Sequence, residues 1–193
     1  MDFMASQTVV NLARAFSGES QAYMRYSFFA EQATNEKYNY ISNIFNQIAT
    51  NEKAHSKVFY NLVIAHSSKP INNININAGY PFKLGNTECN TLVSKVAEEE
   101  ENVEIYPAFA KIAKAEGFTD IEKAFTLTAQ VEGSHSKIFS SLHDLITNNT
   151  VYSSSFPTMW KCSVCGHTHS ADSPWSVCPL CGYPQGYVEI NVN

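Results

Sequence analysis

Two stretches of the chain carry the same seam of side chains. Ile41, Phe45, Ile48, Glu52, His55, Phe59 and Leu62 fall at alternating steps of four and three. Ile121, Phe125, Thr128, Glu132, His135, Phe139 and Leu142 repeat that spacing. Residues at these intervals line one face of a helix that packs on a partner helix. The pattern predicts four helices, over about residues 5–34, 38–66, 88–115 and 119–147. The breaks at Asn35–Lys37 and Glu116–Thr119 are short, so the helices pair as two antiparallel hairpins. Asn35 and Gly117 suit the C-terminal ends of helices. Residues 67–87, rich in Asn and carrying Pro and Gly, read as the single long crossover of a four-helix bundle.

The bundle also repeats internally. A shift of 80 residues lays Tyr26 on Tyr106, Phe29-Ala30 on Phe109-Ala110, Glu36 on Glu116, Phe45 on Phe125, and Glu52 and His55 on Glu132 and His135. Two similar hairpins about a pseudo-twofold axis bring matching positions together at the centre, as a symmetric two-metal site requires.

Glu and His are out of place on an apolar seam, because an unpaired buried carboxylate costs several kcal/mol, on the order of 3–5. Each Glu-x-x-His places both side chains on one helical face. A carboxylate from each of the other two helices completes the ligand set of a di-iron or di-manganese site. Glu19 lies in phase on the first helix, between Phe16 and Tyr26. The third helix offers Glu98, Glu99, Glu100 and Glu101. The repeat points to Glu99, whereas two ligands at i and i+3 would need another choice, such as Glu98 with Glu101, and a π-bulge would shift the register by one residue. Tyr23, Tyr26 and Tyr106 fall near these carboxylates, and Tyr26 and Tyr106 are placed to hydrogen-bond and orient them.

The composition changes after about Asn148. We expect a bundle over residues 1–148, a polar linker over 149–156 and a small domain over 157–193. Cys162-x-x-Cys165 and Cys178-x-x-Cys181 form two knuckles, each followed by a glycine, Gly166 or Gly182. Four thiolates so spaced hold zinc or iron. So short a tail cannot hold itself together by burial alone, and a structural metal supplies the difference. Trp160, Trp175, Tyr183 and Tyr187 are its expected aromatic core. Cys89 is left over as a reduced thiol.

With a net charge of −5 and 16% charged residues, the 193-residue chain lacks the basic footprint of a nucleic-acid binder. No apolar run is long enough for a membrane span, and the first residues do not read as a secretory signal, so a cytoplasmic location is expected. No G-x-G-x-x-G fingerprint is visible, so a nicotinamide-dependent step would belong to a separate protein.

The stretches GESQAYMRYSFFAEQA from Gly18, ISNIFNQIATNEKAHSKVF from Ile41 and EIYPAFAKIAKAEGF from Glu104, with the tail KCSVCG and CPLCGYP, resemble the rubrerythrins over essentially the whole chain. The resemblance implies an all-α ferritin-like bundle with a small β-rich rubredoxin-like domain. It implies a di-iron site of Glu19, Glu52, His55, Glu98, Glu101, Glu132 and His135, with Glu52 and Glu132 bridging and one iron exchanging His55 for Glu101. Counted back from Tyr106-Pro107, it selects Glu98 and Glu101 over Glu99. Cys162, Cys165, Cys178 and Cys181 would hold a further iron, with zinc the alternative. The implied activity is reduction of hydrogen peroxide in oxidative-stress defence. An NAD(P)H-linked reductase or a rubredoxin would supply the electrons, and the protein would be a head-to-tail homodimer. The competing expectations are an iron-storage ferroxidase and a zinc-ribbon binding module.

Overall fold

The computed structural model describes residues 2–192. Five α-helices span Gln7–Asn35 (α1), Asn39–His66 (α2), Thr87–Glu100 (α3), Tyr106–Glu116 (α4) and Thr119–Thr147 (α5). A π-helical turn, Glu101–Ile105, joins α3 to α4, so the predicted third helix is one rod with a bulge inside it. α1 packs along α2, and α3–α4 along α5, as two hairpins closed into a four-helix bundle. The first helix starts at Gln7 rather than near residue 5. Phe3–Ala5 instead forms a 3₁₀ turn, and the Ser6 side chain caps α1 by accepting from the Val9 N–H.

Three helix ends share one geometry. The N–H of Tyr38, Phe118 and Thr150 reaches back to the carbonyl of Ala33, Ala113 and Leu145, with a second bond nested inside each loop. This pattern needs a left-handed residue just past the helix. Gly117 fills that place with φ +91°. In the first hairpin the left-handed residue is Lys37, at φ 67°, two residues past Asn35, which ends α1 as expected. The two-residue offset follows from the bonds of Tyr38 and Lys37 to Ala33 and Thr34.

The bundle core is split in two. One apolar cluster holds Tyr26, Phe29, Ile41, Phe45, Phe139 and Leu142; the other holds Leu12, Phe59, Tyr106, Ala113, Ile121 and Phe125. Along α1, α2 and α5 the buried Glu and His positions lie between residues of these two clusters. The clusters are related by the internal repeat: Tyr26 packs on Phe45 and Phe139, and Tyr106 packs on Phe125 and Phe59. No helix among the described residues is long and apolar enough to cross a membrane.

In the tail, Thr158–Lys161 (β1) pairs antiparallel with Thr168–Ala171 (β2). Trp160 is buried here, and its indole donates to the Ala171 carbonyl at 2.9 Å. Cys162, Cys178 and Val188 are buried in the same tail. The expected four-aromatic core is therefore only partly formed. Trp175 is half-buried against His167, and Tyr183 stays exposed with its ring edge-on to Tyr187. Val151 and Ile190 join the first bundle cluster. Gly186 abuts the α1–α2 turn, where a β-carbon would collide with the Lys37 carbonyl oxygen.

The hairpins are also tied at their ends. Glu116, closing α4, accepts from the N–H of Gln7 and Thr8 at 3.0 and 2.8 Å and from the Thr8 hydroxyl at 2.5 Å. Its counterpart Glu36, closing α1, accepts from the Thr87 N–H at 3.0 Å. Each carboxylate thus caps the first helix of the other hairpin, where the helix dipole favours negative charge. Burial works to raise the pKa of Glu116, but the Thr8 and Gln7 donors outweigh it and hold the carboxyl below its ordinary 4.5. A depressed folded pKa stabilises above the unfolded value and is lost as pH falls through the folded one. Glu116→Ala should therefore cost about 1 kcal/mol at neutral pH. Urea titrations should show that difference vanishing below pH 4.5, in the acid range where Glu116 itself takes up a proton.

Candidate metal centres

Six side chains from all four rods meet midway along the bundle. Glu19 comes from α1, Glu52 and His55 from α2, Glu98 from α3, and Glu132 and His135 from α5. His55 Nδ1 lies 3.1 Å from Glu52, 3.0 Å from Glu132 and 3.6 Å from Glu19. His135 Nδ1 lies 2.8 Å from Glu132, 3.1 Å from Glu52 and 3.5 Å from Glu98. The two sets are images of one another under the repeat. Their possible ligand atoms fall within 4.8 Å in each set, and Glu52 and Glu132 belong to both.

The tyrosines cross between hairpins. Tyr26 donates to Glu98 Oε1, and Tyr106 donates to Glu19 Oε1. Burial raises the pKa of both hydroxyls well above 10, and the neighbouring carboxylates raise it further, so they remain donors. Seven residues separate Glu19 from Tyr26, but eight separate Glu98 from Tyr106. The π-turn Glu101–Ile105 absorbs the extra residue. That is why the repeat alone pointed to Glu99, which is exposed, while Glu98 is the buried partner of Tyr26.

Burial and mutual repulsion among the carboxylates dominate the electrostatics of the cluster. Burial raises the pKa of Glu19 and Glu98, and the nearby Glu52 carboxylate adds to this. Burial also lifts Glu52, yet His135 and His55 outweigh it and hold that carboxyl at about 2. Burial works against charge on both imidazoles, but the carboxylates around them draw His55 and His135 up to about 12. Even so, Glu19 Oε2, Glu52 Oε1, Glu98 Oε2, both Glu132 oxygens and His135 Nδ1 are buried without a well-formed hydrogen bond. Their close distances lack hydrogen-bond direction. Oxygen and imidazole donors converging in this way fit two divalent cations.

The second candidate centre lies in the tail. The Sγ atoms of Cys162 and Cys181, and of Cys165 and Cys178, are 3.7 Å apart. Metal–sulfur bonds of about 2.3 Å in a tetrahedron put sulfurs roughly 3.8 Å apart, so the four thiols fit one ion. Gly166 and Gly182 take φ +76° and +75° and close the knuckles by donating to the Cys162 and Cys178 carbonyls. Burial opposes ionisation of Cys178, but the N–H groups of Cys181 and Leu180 bring its thiol down to about 7. Cys89 stands apart on α3 as an exposed thiol.

The sequence profile of the family described as rubrerythrin matches residues 11–143, and that of the rubrerythrin rubredoxin-like domain matches residues 160–189. The chain belongs to the rubrerythrin family. Rubrerythrin-1 of Clostridium acetobutylicum is 40% identical over 185 residues, covering 96% of this chain and 94% of its own. The rubrerythrin of Clostridium perfringens is 36% identical over 187 residues, with the same two coverages of 96% and 94%. Among solved structures, a Desulfovibrio desulfuricans bacterioferritin described by its di-iron site aligns with a TM-score of 0.67 at 17% identity, over 75% of this chain and 82% of its own. That likeness gives the bundle its ferritin-like fold.

Glu101, expected as a seventh ligand, lies outside both clusters. It is half-buried in the π-turn and lines a cavity of about 280 Å³. Burial, Glu132 and Glu52 lift its carboxyl to about 8. On another side His55 opens onto a groove of about 360 Å³ lined by Val58, Ala124, Leu127 and Val131. Tyr23 meets no carboxylate and packs beside Lys53, whose Nζ is 5.8 Å from its ring centre. Sequence reasoning missed Asn51, whose amide is 3.2 Å from His135 Nε2, and Arg25, which lines the Glu101 cavity. Asn51 directly precedes Glu52, so its place one residue off the seam was the available signal. Gly133 leaves room for the Asn102 side chain of the π-turn, about 3.0 Å from where a β-carbon would sit. Tyr26→Phe and Tyr106→Phe should each weaken divalent-metal binding by about 10- to 100-fold, because each frees one carboxylate to rotate. Chelator-competition titrations should show the two variants responding alike.

Proposed function

We propose that the chain reduces hydrogen peroxide to water in oxidative-stress defence. The observation that carries this reading is the pair of mirrored Glu/His clusters sharing Glu52 and Glu132, on a chain that also carries a four-thiolate centre. Two irons held by Glu19, Glu52, His55, Glu98, Glu101, Glu132 and His135 would supply two electrons and polarise the peroxide oxygens, and iron in the cysteine site would return electrons one at a time. Breaking the O–O bond of one peroxide to give two waters takes up two electrons and two protons.

The chain's own groups prepare that event. Tyr26 and Tyr106 hold Glu98 and Glu19 in place. The apolar clusters above and below keep bulk water out of the centre. Glu101 lies outside the two clusters on the wall of the cavity, from which it would join the irons as their seventh ligand. The apolar groove at His55 suits electron delivery. Val164 and Leu180, exposed beside the cysteines, offer it a matching apolar tip. We assign that tip to a second copy of the chain, giving a head-to-tail homodimer fed by an NAD(P)H-linked reductase or a rubredoxin. A four-thiolate centre has no part in iron storage, which favours the reductase over a ferroxidase.

Cys162→Ser should abolish turnover supported by the electron donor. Stopped-flow oxidation of the chemically reduced bundle by one equivalent of peroxide should keep its rate. Loss of both reactions would refute this division of labour.

A further inference from the structure

The internal repeat mirrors the ligands but not the groups behind them. His135 turns Nδ1 towards Glu132, Glu52 and Glu98. Its far nitrogen, Nε2, lies 3.2 Å from the side-chain amide of Asn51 on α2. That amide is 3.4 Å from the amide of Gln47, one turn earlier on the same helix. A shift of 80 residues lays Gln47 on Leu127 and Asn51 on Val131. Both counterparts belong to α5, and both line the groove of about 360 Å³ onto which His55 opens. One imidazole is thus backed by a pair of amides. The other has beside it two aliphatic side chains that can accept no hydrogen bond.

The chemistry of imidazole decides what Asn51 does. Nδ1 of His135 is buried among carboxylates without a well-formed hydrogen bond. A cation on Nδ1 leaves the ring's hydrogen on Nε2, which can then only donate. The Asn51 amide meets it with its oxygen, since the two ends of an amide have one shape and the partner decides between them. Nε2–H then donates to Asn51 Oδ1, and Asn51 Nδ2 donates onward to the Gln47 amide oxygen. A histidine held through its second nitrogen keeps one tautomer and one ring orientation, and it is the more basic ligand. His55 meets Glu52, Glu132 and Glu19 through Nδ1 in the same manner, but Val131 offers its ring no acceptor. Exposure follows the same division, 14% for the His55 side chain against 3% for His135.

We infer that Asn51 is a positioning residue that pins His135 on its cation, and that Val131 in the mirrored place leaves His55 the looser of the two imidazoles. The inference rests on the two-cation reading of the bundle and not on peroxide as the substrate. Cobalt(II) in the bundle, with zinc in the four-cysteine site, gives a readout that needs no turnover. High-spin cobalt moves the N–H proton of a bound imidazole far outside the ordinary proton spectrum. The di-cobalt protein should show two such solvent-exchangeable signals, one exchanging about tenfold more slowly than the other, or slower still. Asn51→Leu keeps the bulk and removes the acceptor, so it should speed the slow signal by about tenfold or more. In calorimetry it should weaken one of the two cobalt-binding steps by about 10- to 100-fold. Asn51→Asp, which keeps the acceptor oxygen, should retain slow exchange, and Val131→Asn should slow the fast signal. A slow signal that survives Asn51→Leu unchanged shows that burial alone protects His135, and overturns the inference. Should Asn51→Leu not fold, Val131→Asn decides: a second slow signal upholds the inference and an unchanged fast signal overturns it. Cobalt signals that ignore both variants leave the two-cation reading standing without Asn51, whereas a bundle that takes up no cobalt overturns both.

Discussion

Four carboxylates and a histidine with almost no exposure sit between two apolar layers, and the rest of the bundle is arranged to make that tenable. Glu19, Glu52, Glu98, Glu132 and His135 are all nearly or wholly buried. Uncompensated charge in such a place costs several kcal/mol per ion, on the order of a third of a domain's net stability. The internal protons and ion pairs offset part of that cost, yet they leave six buried polar atoms without a directed partner. Cations in the two clusters would answer the remainder. The tyrosines then make sense as donors that stay protonated under negative charge, each fixing a carboxylate that a cation alone would leave free to turn.

The pseudo-twofold axis runs deeper than the ligands. Glu36 and Glu116 cap opposite hairpins, Tyr26 and Tyr106 cross to opposite carboxylates, and the phenylalanine layers exchange places. The π-turn Glu101–Ile105 breaks the symmetry. There one extra residue carries Glu101 out of the mirrored set and onto the wall of the cavity. The asymmetry gives the two clusters different surroundings: one side of the centre opens at Glu101 and another at His55.

Much of this was legible in the chain because burial imposes periodicity. The seams through Glu52–His55 and Glu132–His135 carried both the helices and the chemistry, since a charged residue in an apolar phase needs an opposite charge to hold it there. The cysteine knuckles were legible because two short loops with a glycine apiece have narrow geometry. The third helix was harder. Four successive glutamates, Glu98 to Glu101, look alike to any periodicity, and the bulge that selects Glu98 leaves no mark in composition. The left-handed turn at Lys37 was not foreseen, because a lysine gives no local signal for positive φ. In the tail, composition foretold the buried Trp160 but not that Tyr183 stays exposed.

The most direct test of the account is anomalous diffraction at the iron absorption edge, from crystals of protein prepared without oxygen. The account predicts two peaks about 3.5–4 Å apart between Glu52 and Glu132, and a third among the four cysteine sulfurs. Peaks absent from the bundle, with Glu19, Glu52, Glu98 and Glu132 protonated or bonded to water, would contradict it.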